Sequence, residues 1–135
     1  MLEDEMAVYC LDFLKKQDFQ WVRTEIPFMS RCIDALVLDN SNQLLSIEFK
    51  ISKWRQAILQ ASYHKLGSDQ AFICLPRKKE TDLLRDALET AGIGLMLYDV
   101  DTHEINVVHT PSRVSTVPLF RKKLMETANM IEAVG

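Results

Sequence analysis

Cysteine, histidine, glycine and proline are all scarce in this chain, which has three, three, four and four of them in 135 residues. Three cysteines, at positions 10, 32 and 74, cannot build a disulfide framework, and their apolar settings predict buried thiols. His64, His103 and His109 show no ligand spacing that would pair them with those cysteines in a zinc site. No apolar run approaches the roughly 18 residues of a membrane span. The first residues, Met1-Leu2-Glu3-Asp4-Glu5, are acidic where a signal peptide is basic, so a cytoplasmic location without membrane attachment is expected. Repeats and low-complexity stretches are also missing, and one domain over residues 1–135 is expected. At 47% hydrophobic and 26% charged residues, the composition is that of a globular chain able to bury a sizeable core.

Excess positive charge is absent overall. A net charge of −3 excludes a general polyanion binder. The distribution along the chain is uneven, however: residues 1–48 are net −5, residues 49–79 net +6 and residues 80–135 net −4. Lys50, Lys53, Arg55, Lys65, Arg77, Lys78 and Lys79 form the basic block, a candidate local surface for a phosphate backbone. Taken singly, Lys65 and Arg77 to Lys79 also read as solvated ends of helices and loops.

The basic block begins where the most informative segment ends. Residues 31–38 and 44–50 are two apolar strands separated by Asp39-Asn40-Ser41-Asn42-Gln43, whose Asn and Asp residues tolerate the left-handed backbone of a tight turn. With Ser41 at the centre, Asp34 falls opposite Glu48, with Cβ atoms about 4.5 to 5.5 Å apart. Strict alternation assigns Asp34, Leu36, Leu38, Leu44, Ser46, Glu48 and Lys50 to one face and Ile33, Ala35, Val37, Leu45, Ile47 and Phe49 to the other. Both faces are apolar near the turn, so the hairpin belongs inside a layered α/β domain, with its charges at the open end. Two close carboxylates repel, and a hard dication such as Mg²⁺ relieves the repulsion through oxygen ligands. A solvated Glu48–Lys50 pair on a wet face is the simpler alternative, worth less than about 1 kcal/mol.

Asp34 followed by Glu48-Phe49-Lys50 on the next strand resembles the signature of the PD-(D/E)XK nuclease superfamily, with Ile33-Asp34 in place of Pro-Asp. The resemblance covers about residues 2–98, leaving an edge strand, a loop and a C-terminal helix in 99–135. It implies a restriction-endonuclease-like fold: a three-layer α/β/α sandwich around a central mixed sheet. It further implies Mg²⁺ or Mn²⁺ held by Asp34, Glu48 and the Phe49 carbonyl, with Lys50 assisting the attacking water. Such nucleases often carry another acid on the first helix. Glu5, beside the stripe of Leu2, Met6, Tyr9 or Cys10, and Phe13, is the first candidate, with Glu3 behind it; the helix dipole alone also favours acids there. A Gln followed by Tyr on the helix after the Lys strand is similar to Gln60 and Tyr63, with Gln56 as the alternative. Glu25 is a secondary metal candidate. Arg31, Lys53, Arg55 and Tyr63 are the candidate nucleic-acid contacts, whereas Trp54 fits the buried stripe of its helix too well to be a base platform.

Further along, periodicity predicts a strand over 70–76, a helix over 78–91 with Leu83, Leu84, Ala87 and Leu88 inward, a strand over 94–98 and an edge strand over 105–108. A loop over 109–118 precedes a last helix over 119–134, with Leu124, Met125, Ala128 and Ile131 on one face. That stripe could pack on the domain or pair two subunits, and Arg121-Lys122-Lys123 could grip DNA. The functional expectation is hydrolysis of nucleic-acid phosphodiesters, with DNA the first choice. A catalytically silent or partner-dependent binding module of the same fold is the alternative, and a homodimeric junction or mismatch enzyme the third.

Overall fold

A computed structural model describes residues 1–77, 80–111 and 116–134, with side chains up to residue 131. Lys78 and Lys79 of the basic block, and Ser112 and Ser115 of the loop, lie outside the described residues. The elements run α1 (Glu3–Lys15), β1 (Trp21–Phe28), β2 (Arg31–Leu38), β3 (Leu44–Phe49), α2 (Trp54–His64), β4 (Gln70–Pro76), α3 (Asp82–Ala91), β5 (Gly94–Tyr98), β6 (Ile105–His109) and α4 (Pro118–Val134). Six strands form one mixed sheet in sequence order. The outer pairs β1–β2, β2–β3 and β5–β6 are antiparallel, and β3–β4–β5 are parallel because a helix links each to the next.

The hairpin register is the one expected from a turn centred on Ser41. Ala35 pairs with Ile47 and Leu36 with Ser46. Asp39 sets it, its Oδ1 accepting the N–H groups of Ser41 and Gln43 at 2.9 Å each, while Asn42 takes a φ of 62°. Across the sheet, Asp69 accepts the Leu44 N–H at 2.7 Å and so ties the start of β3 to the loop before β4.

Helix α1 covers one face, packing Met6, Cys10 and Leu14 on Ala35, Val37, Ile47, Phe49, Phe72, Cys74, Met96 and Tyr98. On the other face, α2 and α3 cover Ala71, Ile73, Leu75 and Leu95, and α4 covers Ile26, Ile33, Leu36, Leu38 and Leu44. This is a three-layer α/β/α arrangement. Among the described residues, no helix is long and apolar enough to cross a membrane.

Several expectations are corrected by packing. Ile33 joins Leu36 and Leu38 in the cluster under α4 and does not follow Ala35 and Val37, because alternation breaks at Asp34. The α1 stripe is Met6, Cys10 and Leu14; Leu2 and Tyr9 are exposed and Phe13 only half-buried. Leu83 is exposed too, while α3 buries Leu84 and Leu88. That helix starts at Asp82, where the Thr81 hydroxyl accepts the Leu84 N–H at 3.1 Å, and Glu80 and Thr81 stand outside it. Cys32 is exposed, unlike Cys10 and Cys74. The α4 stripe of Leu124 and Ala128, flanked by Met125 and Ile131, is consumed by the domain itself, and Arg121 is bound to Asp69 at 3.1 Å instead of facing out for DNA.

Candidate active site

The site lies where β2 and β3 part. Their ladder ends at Ala35–Ile47, one step before Asp34 and Glu48. Past that point Asp34 fills the fork, its Oδ2 accepting the Phe49 N–H at 2.9 Å. The Asp34 and Glu48 carboxyls come within hydrogen-bond reach of each other.

Strand β1 adds strain at the same level. It pairs with β2 at Thr24–Ala35 and Ile26–Ile33, but the intervening Glu25 and Asp34 form no ladder pair, and Glu25 takes a φ of 52°. Such a backbone costs a residue with a side chain roughly 1–3 kcal/mol and is a mark of functional sites. Glu25 lines a small cleft of about 80 Å³ together with Asp34, Phe49 and, from α1, Glu3, Asp4, Ala7 and Leu11.

Burial raises both central carboxyls. Glu48, 5% exposed, is pushed up to about 9, first by desolvation and then by the negative charge of Asp34, with Lys50 pulling the other way. Asp34 is raised as well, chiefly by burial, against the Phe49 N–H that favours its charged form; Glu25 and Glu3 add repulsion. Without a cation, the pair therefore retains a proton at neutral pH.

Lys50 follows on the same strand edge. Its Nζ lies 3.9 Å from Glu3 Oε1, in a shallow groove of about 370 Å³ lined also by Lys53 and Gln56. The helix acid facing the site is thus Glu3. Glu5 is exposed and lines neither cleft, because residues 3, 7 and 11 form the α1 edge turned towards Asp34. Gln60 is half-buried, with its Oε1 buried and without a partner. Tyr63 is exposed, with the Arg31 guanidinium 4.5 Å above its ring. Lys53 begins α2 with a left-handed backbone, and Arg55 stacks on half-buried Trp54 at 4.3 Å.

One residue of the site carried no sequence signal. His64, at the end of α2, is 1% exposed and places Nδ1 3.5 Å from Glu48 Oε2. Burial, aided by the charge of Arg31, lowers its imidazole to about 4. Its spacing from Ala57 and Ala61, seven and three residues, continues the buried stripe of α2 and is the local hint that it faces the sheet.

No family model matches the chain, and no curated protein does. Solved structures do. A protein of unknown function from Silicibacter pomeroyi superposes with a TM-score of 0.72 at 18% identity, covering 98% of this chain and 88% of its own. A repair endonuclease from Pyrococcus abyssi gives 0.56 at 18% identity over 73% of this chain and 47% of that one. An XisH family protein from Nostoc punctiforme gives 0.58 at 11% identity over 77% and 99%. At such identities the likeness shows the fold alone, an endonuclease-like α/β sandwich.

Proposed function

We propose that this chain is a metal-dependent nuclease of the PD-(D/E)XK type that hydrolyses nucleic-acid phosphodiesters, DNA first. The observation that carries the reading is the convergence of Asp34 and Glu48 at the β2–β3 fork, with Lys50 two residues beyond Glu48.

The residues fit a hard dication. Glu48 is buried against the charge of Asp34, a repulsion that a cation would relieve. Among the described residues no three Asp, Glu, His or Cys side chains are grouped to hold a metal ion, so Mg²⁺ or Mn²⁺ would be held by Asp34, Glu48, the Phe49 carbonyl and water. Bound there, the ion would supply the Lewis acid that polarises a phosphodiester. Lys50 would offset charge on the phosphate or orient the attacking water, and Glu3, 3.9 Å from its Nζ, restrains it. Gln60, on the helix above Glu48, supports the site. Arg31, Lys53, Arg55 and Tyr63 are the surface side chains offered to the nucleic acid, and likeness to a repair endonuclease supports the same class of substrate.

A gel with end-labelled single-stranded, duplex, flap and four-way-junction DNA tests this in Mg²⁺, Mn²⁺ or EDTA. Cutting is expected with metal only, and its loss in Asp34→Asn and Lys50→Ala. No cutting of any substrate by the wild type would overturn the reading. A silent binding module is favoured by one observation, that among the described residues no three ligating side chains are grouped; it predicts DNA binding in EDTA that Asp34→Asn leaves unchanged.

A further inference from the structure

The proposed chemistry leaves one buried polar side chain unused, His64. Both of its ring nitrogens, and the Glu48 Oε2 that one of them faces, are buried with no hydrogen-bond partner. An apolar residue at 64 would extend the stripe of Ala57, Ile58 and Ala61 without leaving two ring nitrogens unsatisfied. Packing therefore does not account for the imidazole.

Its backbone is firmly placed. The His64 carbonyl accepts the N–H groups of Gly67 and Ser68, at 3.1 and 3.0 Å, and the Ser68 hydroxyl at 3.0 Å. The Ser68 hydroxyl also meets that of Ser46 at 3.0 Å, two residues before Glu48 on β3. The end of α2 and the Glu48 strand thus form one frame, with the imidazole Nδ1 facing the carboxyl at 3.5 Å.

We infer that His64 is a positioning residue that holds Glu48 in the orientation needed to bind a dication, its Nδ1–H donating to Oε2 and leaving the other oxygen towards Asp34. The inference rests on the metal reading above. A neutral imidazole has one N–H to give. When Glu48 is ionised, the contact closes to a charge-assisted hydrogen bond of about 2.8 Å. Groups of this kind, behind a ligating side chain, typically change metal affinity by about 10- to 100-fold.

Calorimetric titration of Mn²⁺ into wild type, His64→Leu, His64→Asn and Asp34→Asn, with melting of each in EDTA, tests it. His64→Leu is expected to bind about 10- to 100-fold more weakly while melting no lower than wild type, and His64→Asn, whose amide reaches the Nδ1 position, to recover most of the affinity. Wild-type affinity in His64→Leu, or no recovery in His64→Asn, would overturn the inference. Should His64→Leu not fold, His64→Ala against His64→Asn carries the same comparison. Binding lost in Asp34→Asn but untouched in the His64 variants removes the inference alone; no Mn²⁺ binding by the wild type removes it together with the metal reading.

Discussion

Three single residues at the fork, Glu25, Glu48 and His64, are placed against their own preferences. Glu25 holds a left-handed backbone in mid-strand, which glycine would adopt freely. Glu25→Gly is expected to stabilise the fold by about 1 kcal/mol in urea denaturation while weakening metal-dependent cutting, because the strain aims a carboxylate at the cleft. Glu48 is the second case. Its folded value of about 9 lies above the ordinary 4.5, so the folded state keeps a proton that the unfolded chain releases. That stability is complete below about pH 4.5 and is lost as pH rises through about 9. His64 runs the opposite way: lowered from 6.5 to about 4, it contributes stability above pH 6.5 that is lost as pH falls through 4. Melting in EDTA between pH 6.5 and 9 should therefore show stability falling with pH in the wild type, and Glu48→Gln should remove that slope.

At the scale of elements, local chemistry decided most boundaries. The Asp39 turn fixes the hairpin register through two hydrogen bonds within five residues, and Thr81 with Gly92, at a φ of 69°, brackets α3. Thr81→Ala should cost about 1 kcal/mol in thermal or urea unfolding, since it orphans the Leu84 N–H. Helix faces were less legible than helix ends. In α1, two apolar phases were open, and the sheet chose Met6, Cys10 and Leu14, which turned Glu3 and not Glu5 to the site. In α2, the buried stripe ends in His64, whose i+3 and i+7 spacing from Ala61 and Ala57 marks the face but not the partner.

For the molecule as a whole, α4 belongs to the core. Leu124 and Ala128 are fully buried under it, and Arg121 joins Asp69, which in turn holds Leu44. Leu124→Ala is expected to destabilise by about 2–5 kcal/mol in denaturant unfolding. Cutting the chain after Val117 should consequently lower stability far more than it changes oligomeric state, as circular dichroism and sedimentation together would show. On the outer side of α4, Leu119 and Met130 remain uncovered.

The sequence by itself determined the order of elements and the hairpin register, because turn residues and a two-residue period act over a few bonds. Tertiary structure decided the rest. The break in alternation that sends Asp34 to the α1 side, the left-handed Glu25, the choice of Glu3 and the burial of His64 against Glu48 all depend on which surfaces meet across the sheet. Residues 25, 34, 48 and 64 converge only once three strands and a helix are packed, and the energies that hold them, desolvation and charge repulsion at close range, do not exist in the open chain.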